Sequence, residues 1–360
     1  MIEGTSQVGL SVVHASGTPR EMGRTHGEEM RSVITDGLRA WFQLIETAVS
    51  MPGAAYASSL LAATHFIPSI EIFTPGLLEE VQGIAEGAGQ PFDTMVAYQL
   101  MDEEWWYRVS LVRARRGEAC SAVGVITNES TSIVAQNMDL PSHYDGTQIV
   151  LHLKPADGEE VLVFTPAGMV GTTGLNRSGV AVCCNSLPQL SHRSYGLPVA
   201  FMMRGILAQG YIEDAMTMVK TVPHASGQNY LLGGPGAVCN LEASAGQVRE
   251  VPVAGSQVHH TNHPLANDDI DPSGPADYES RSTTRVRLER LQSELVNLGP
   301  RAGVEDLARV LSDREAPVCV SRGSDWMTLG SLIMELSAEP VLHIAPGPPV
   351  NTPFHTLAFN

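Results

Sequence analysis

Arg113-Ala-Arg-Arg-Gly-Glu-Ala-Cys120-Ser-Ala-Val-Gly-Val125 is the stretch from which the rest of the chain can be read. A charged, loop-like run ends at Ala119, and a strand of small residues starts at Cys120. Nineteen positions on, Gln136-Asn-Met-Asp139 ends the next strand. A cysteine opening a strand, with a carboxylate one hairpin away, suits a nucleophile exposed by self-cleavage. The expectation is a precursor cut between Ala119 and Cys120, whose mature form transfers or hydrolyses acyl groups.

The chemistry behind this expectation is simple. A thiol attacks well only as thiolate, and its ordinary pKa is about 8.5, so it needs a base nearby. A cysteine that has become residue one carries an α-amine with a pKa of roughly 7.7–8.0, close to working pH. No separate histidine is then required. Asp139, from the neighbouring strand, can orient that amine, and amide donors can hold the tetrahedral oxyanion. Taken alone, a cysteine at a strand start is more often a small buried apolar residue. Local sequence leaves both readings open.

Composition narrows the classes. Of 360 residues, 43% are hydrophobic and 17% charged, enough for a substantial buried core. The net charge of −17 argues against a nucleic-acid partner, which needs a clustered positive field. Arg113, Arg115 and Arg116 are too few for such a patch and read as a solvated linker. The five cysteines, Cys120, Cys183, Cys184, Cys239 and Cys319, contain no CxxC pair, so neither a disulfide framework nor a zinc site is expected. Free thiols fit a reducing cytoplasm. Neither a signal peptide nor a membrane span is read. His259, His260 and His263 lack a carboxylate pair at ligand spacing, so no metal is expected, and no organic cofactor is required.

Along the chain, Val8–His14 reads as a first strand and Gly17–Gly23 as a turn into a helix. Helical spacing follows over Met30–Val49 and over Leu77–Ala88, the latter punctuated by Gly76 and Gly87. Asp93 is placed to cap a helix containing Val96–Leu100. After Cys120 the pattern turns to strands: Ser121–Thr127, Ser132–Asn137, Thr147–Leu153, Glu160–Thr165 and two within Gly171–Asn185. Residues 198–221 are helical and 228–261 strands. Tyr278–Val296 and Val304–Ser312 are helices, with Asn267–Ala276 a loop before them. Met327–Pro349 is strand and turn. This order suggests sheets inside and helices outside. No composition shift marks an independent second domain.

Together these stretches resemble the isopenicillin N acyltransferase family, the C45 autoproteolytic acyltransferases and hydrolases among the N-terminal nucleophile hydrolases. The resemblance is carried by Gly17-Thr-Pro-Arg-Glu-Met-Gly23 with His26-Gly27, Gly83-Ile-Ala-Glu-Gly-Ala88, Ala119-Cys120, Gln136-Asn-Met-Asp139, Gly174-Leu-Asn-Arg-Ser-Gly-Val-Ala-Val182, His260-Thr-Asn262-His263 and the region Cys319–Leu332. It implies an α+β fold, a four-layer αββα sandwich. It also implies cleavage into a mainly helical α chain (1–119) and a nucleophile-bearing β chain (120–360), which stay associated as a heterodimer in one αββα unit. By the same resemblance Cys120 is the nucleophile of both cleavage and catalysis, and Asp139 holds the free amine. Asn262 contacts the amine and the oxyanion, and Asn185 is a further oxyanion donor. The 119 residues before Cys120 fit the acyltransferase branch better than the bile salt hydrolases, which begin at their cysteine. The implied partners are a small-molecule acyl donor and an amine acceptor.

Two departures stand out. Ala119 takes the place of the glycine usual in the penicillin branch. Ser321-Arg322-Gly323 matches a processing and substrate-binding motif, but its distance to the strand from Thr328 is longer. Ser321 and Arg322 therefore stand as substrate or processing candidates, with a surface arginine capping a loop as the other reading. Arg285 reads as a structural helix residue, the remaining cysteines as core, and His260 and His263 as structural or supporting. Whether water or an amine takes the acyl group is left open. The alternatives are an amidohydrolase of N-acyl amino acids or small peptides, and a non-catalytic binding protein on the same scaffold.

Overall fold

The computed structural model describes residues 9–112, 120–275, 278–323 and 325–359. The expected cut, with Ala119 and the basic run before it, lies outside the described residues. A first strand, β1 (Ser11–Gly17), leads into a helical region: α1 (Pro19–Glu29), α2 (Arg31–Val49), α3 (Gly53–Ala62), α4 (Phe66–Phe73), α5 (Pro75–Ala88), α6 (Phe92–Tyr98) and α7 (Met101–Leu111). Strands follow: β2 (Ser121–Asn128), β3 (Thr131–Pro141), β4 (Gln148–Pro155), β5 (Val161–Pro166), β6 (Thr173–Asn176) and β7 (Ala181–Ser186). Helices α8 (Val199–Leu207) and α9 (Ile212–Thr221) precede β8 (Gln228–Gly234), β9 (Ala237–Ala243), β10 (Val248–Val251) and β11 (Gln257–His260). The chain ends with α10 (Tyr278–Arg281), α11 (Thr284–Leu295), α12 (Val304–Leu311), β12 (Trp326–Leu336), β13 (Val341–Ala345) and β14 (His355–Ala358).

Among the described residues the strands form two sheets. One has eight strands in the order β1-β4-β5-β6-β7-β8-β9-β10, the other six in the order β11-β2-β3-β12-β13-β14. The hairpin β2–β3 packs face to face on β7, β8 and β9. Alternation along β2 shows why both its faces are apolar. A Cβ built on Gly124 would meet Leu231 and Val238 of the larger sheet, so Ala122 and Cys120 point the same way. Val123 and Val125 point outward, into a second core with Leu291, Leu295, Leu307 and Val310. Helices α11 and α12 thus cover the small sheet, while α1, α8 and α9 lie on the large one. The result is the expected four-layer αββα sandwich. Strand β1 comes from the amino-terminal region, yet it pairs in parallel with β4, so residues on both sides of Cys120 share one sheet.

The glycine-rich motifs have a mechanical reason. Helices α1 and α5 touch backbone to backbone. A Cβ on Gly27 would sit 2.4 Å from the Ile84 carbonyl oxygen, and one on Gly87 would sit 2.3 Å from that of Arg24. Gly87 therefore lies within α5 rather than punctuating it, and Gly76 falls in its first turn. The helix ends instead at Gly89, whose φ of +67° is the left-handed conformation glycine adopts freely. His26 of the same motif is buried, and its Nε2 accepts from the Gly168 N–H at 3.0 Å. Burial pushes its pKa down to about 3, so it acts as a neutral acceptor.

Other boundaries differ from the sequence reading. The first strand is shifted towards the carboxyl side, Ser11–Gly17 rather than Val8–His14. Asp93 lies in the first turn of α6, whose N-cap is the extended Pro91. The helix expected over Tyr278–Val296 breaks between Arg281 and Thr284. The Thr284 hydroxyl there accepts from the Asn262 N–H at 2.8 Å, tying the start of α11 to the segment after β11. Helices α3, α4 and α7 and strand β14 escaped the sequence reading, and Leu100, expected within the helix of Val96, is instead the N-cap of α7. Replacing Gly27 by Ala forces the α1–α5 seam apart. It is expected to cost about 2 kcal/mol or more in chemical unfolding, whereas Gly9→Ala, with nothing within 4 Å of its added methyl, stays within about 0.5 kcal/mol.

Candidate active site

Strand register places the polar residues in a row. Strand β11 pairs with β2 at His260–Ala122, and β2 pairs with β3 at Ser121–Asn137. Continuing both registers puts Asn262 level with Cys120, and Cys120 beside Met138 and Asp139. On the far side Thr328 of β12 is opposite Asp139. One end of the small sheet thus carries Asp139 and Thr328 on β3 and β12, with Cys120 and Asn262 just beyond the ends of β2 and β11.

Cys120 is half-buried. Its sulfur accepts from the Asp139 N–H at 3.4 Å, and its thiol faces the Asp139 carbonyl at 3.6 Å. Burial, and then the Asp139 charge, pushes the thiol up to about 12, while the Asp139 N–H and the Arg287 cation pull the other way. Asp139 is almost fully buried, and no donor among the described residues bonds either carboxylate oxygen with good geometry. Burial pushes its carboxyl up to about 8, offset in part by the nearby Thr328 hydroxyl and Arg287. An additional positive charge set between thiol and carboxyl would lower both pKa values.

Arg287 is the residue that sequence reasoning missed. It lies on α11 with no exposed surface. Its Nη1 donates to the Cys120 carbonyl at 2.6 Å and the Ser121 hydroxyl at 3.0 Å. Its Nη2 donates to Asn262 Oδ1 at 3.0 Å. A signal was present: Thr284, Arg287, Leu288, Leu291 and Leu295 form the buried stripe of α11, and an arginine in such a stripe needs buried partners. Arg285, two residues earlier, pairs with Glu279 at the surface, in line with its structural reading.

Asn262 is held from both ends, for its Nδ2 also donates to the Ser186 carbonyl at 3.1 Å. Asn185 lies on β7. A Cβ on Gly233, paired with Ala181, would meet Val134 and Leu336 of the small sheet, so alternation turns Cys183 and Asn185 towards that sheet as well. Asn185 Oδ1 accepts from Asn229 Nδ2 at 3.1 Å, and its own Nδ2 is buried without a partner among the described residues. His260 pairs with Glu242 at 2.7 Å, both fully buried, and that carboxylate also accepts from the Ala266 and Asn267 N–H groups. The pair fixes the loop after Asn262. Arg322 makes a fork to the Asp145 carboxylate at 2.9 and 3.1 Å, and neither it nor Ser321 lines the cavity beside Cys120.

That cavity has a volume of about 100 Å³. Trp41, Trp105, Tyr144, Met138, Met203 and Trp326 give it an apolar wall, and Cys120 and Asp139 open onto it, as do Asp102, Glu104 and Arg108. Among the described residues no group of three His, Cys, Asp or Glu side chains is placed to hold a metal ion, and no helix is long and apolar enough to cross a membrane.

Fold and site define an enzyme of acyl transfer or amide hydrolysis. The chain belongs to the acyl-coenzyme A:6-aminopenicillanic acid acyl-transferase family, whose profile matches residues 126–341. It is 26% identical over 257 residues to the 40 kDa form of acyl-coenzyme A:6-aminopenicillanic-acid-acyltransferase from Emericella nidulans, covering 71% of this chain and 70% of that protein. Among solved structures it is similar to a mutant form of conjugated bile acid hydrolase from Clostridium perfringens (TM-score 0.45, 14% identity, 66% of this chain and 92% of that one). Another is penicillin V acylase from Agrobacterium tumefaciens (TM-score 0.42, 12% identity, 67% and 86%).

Replacing Arg287 by Met leaves three buried oxygens without their donor. It is expected to lower stability by about 3 kcal/mol or more in denaturant unfolding. Because the cation holds thiol and carboxyl down, its loss should also move alkylation of Cys120 to higher pH.

Proposed function

We propose that the chain is a self-processing enzyme that forms an acyl-enzyme on Cys120 and passes the acyl group to water or an amine. The observation that carries this reading is the buried Asp139 carboxylate, without a donor of good geometry, beside the thiol of a strand-opening cysteine. A carboxylate left in that condition is costly, and a terminal ammonium at Cys120 would satisfy it.

In maturation the Cys120 thiol adds to the Ala119 carbonyl while Asp139, with its raised pKa, takes the thiol proton. The Ala119–Cys120 C–N bond breaks, the amine leaves with that proton, and the Ala119 acyl group rests on sulfur as a thioester. Water hydrolyses the thioester, giving a carboxylate at Ala119, a free thiol and a free α-amine at Cys120. The two pieces, 1–119 and 120–360, remain together, supported by the pairing of β1 with β4 across the cut.

In turnover the α-amine takes the thiol proton as sulfur adds to an amide or thioester carbonyl. The amine returns the proton to the leaving group, and water or an amine then releases the acyl group by the same steps reversed. Asp139 orients the ammonium. Asn185, with its unpartnered Nδ2, is the oxyanion donor this geometry supports best. Asn262, already bonded at both ends, positions the new terminus through Arg287. The apolar wall suits the acyl chain. Transfer to an amine is supported by the name of the Emericella nidulans relative, which couples an acyl thioester with an amine acceptor.

Intact-mass measurement is expected to show two chains split between Ala119 and Cys120 that co-elute under native conditions, and a single uncut, inactive chain for Cys120→Ala. An active wild type that stays whole would end the proposal. The uncut variant also reports on the unpaired carboxylate. The Asp139 carboxyl titrates at about 8 in the folded chain against 3.8 ordinarily. Between those values the folded chain holds a proton that the unfolded chain has lost, so stability falls as pH rises. Adding Asp139→Asn to Cys120→Ala should therefore raise the melting temperature more at pH 8 than at pH 4.5.

A further inference from the structure

The cavity beside Cys120 carries more charge than acyl transfer itself needs, and its charged groups differ in what they have left to offer. Asp102 accepts from the Ser186 hydroxyl at 2.6 Å and from Gln228. Glu104 accepts from the Tyr56 hydroxyl at 2.6 Å and from Arg108 Nε at 3.0 Å. Both carboxylates are occupied. Arg108 spends only its Nε on Glu104, and its two terminal nitrogens bond no described residue. Its side chain is 16% exposed, and it lines the cavity. A guanidinium anchored through Nε, with its Nη edge free, is preorganised for a planar anion.

We propose that Arg108 is a specificity-determining residue that receives a carboxylate on the amine half of the substrate. This rests on the acyl-transfer reading above and adds what the leaving or accepting amine looks like. With the carbonyl carbon at Cys120 Sγ and the acyl chain against Trp41, Met138 and Trp326, the amine half extends along α7, where Arg108 stands. Glu104 and Tyr56 hold Arg108 in place. The preferred amine is an amino acid with its carboxylate free, and the neutral amide or ester of that amino acid is a poorer partner.

The test compares N-hexanoylglycine and N-benzoylglycine with their carboxamides, in the wild type, Arg108→Lys and Arg108→Gln, using purified mature enzyme. The wild type is expected to prefer each acid over its amide by about tenfold or more in kcat/KM, the size of one charge-assisted contact. Arg108→Gln should abolish that preference mainly through KM, leave the carboxamides within about twofold, and show Arg108→Lys in between. Equal use of acid and amide by the wild type, a preference that survives in Arg108→Gln, or equal loss on both substrates would each overturn the assignment. If none of the four compounds is turned over, calorimetric titration of the wild type decides it: acids binding no tighter than amides would overturn it. Failure of the acyl-enzyme reading looks different, as turnover surviving in Cys120→Ala.

Discussion

The site depends on one buried cation. Arg287 reaches from α11 through the outer core of the small sheet and bonds the Cys120 carbonyl, the Ser121 hydroxyl and the Asn262 side chain at once. Burying a guanidinium costs several kcal/mol unless every donor is used, so the surroundings are constrained in turn. Asn262 must present its oxygen to α11, its nitrogen then falls to the Ser186 carbonyl, and the large sheet is thereby tied to the small one at the level of Cys120. The same charge adds to the Asp139 N–H at the thiol, and to the Thr328 hydroxyl at the carboxyl, in keeping the two groups from rising further.

Much of this was legible in the sequence where a residue's neighbours along the chain decide its state. Strands β2 to β9 followed from alternation and turn residues, and the layer order followed from the sequence of elements. The pairing of Cys120 with Asp139 followed from one short hairpin. What failed were properties fixed by distant partners. Gly87 reads as a helix breaker until α1 is laid against it, when it becomes a contact point. Arg287 looks like one more charge on an amphipathic helix, and Arg285 like its equal. Only the face each occupies separates a residue that orders the site from one that pairs with Glu279 at the surface. Asn262 was placed by family resemblance, but the engagement of both ends of its amide depends on residues more than twenty positions away.

The family resemblance and the physical reading meet at different points of the chain. The family profile begins at residue 126, after the cysteine, so it spans Asp139, Asn262 and Arg287 but not Cys120 itself. Cys120 is marked by its local and electrostatic surroundings. These hold a mismatch: a carboxyl without a well-placed donor among the described residues, next to a thiol that burial keeps protonated. Functional sites are where such mismatches persist, because surrounding structure holds them in place.

Strand β1 has a temporal consequence. It is synthesised well before its partner β4, which begins only at Gln148, more than a hundred residues later. Contacts so far apart in sequence form late and slowly. The edge of the large sheet stays open while the intervening helices gather, and it closes only after the segment containing Cys120 has been synthesised. The order of translation thus delays completion of the cysteine's surroundings until both regions of the chain are already interleaved.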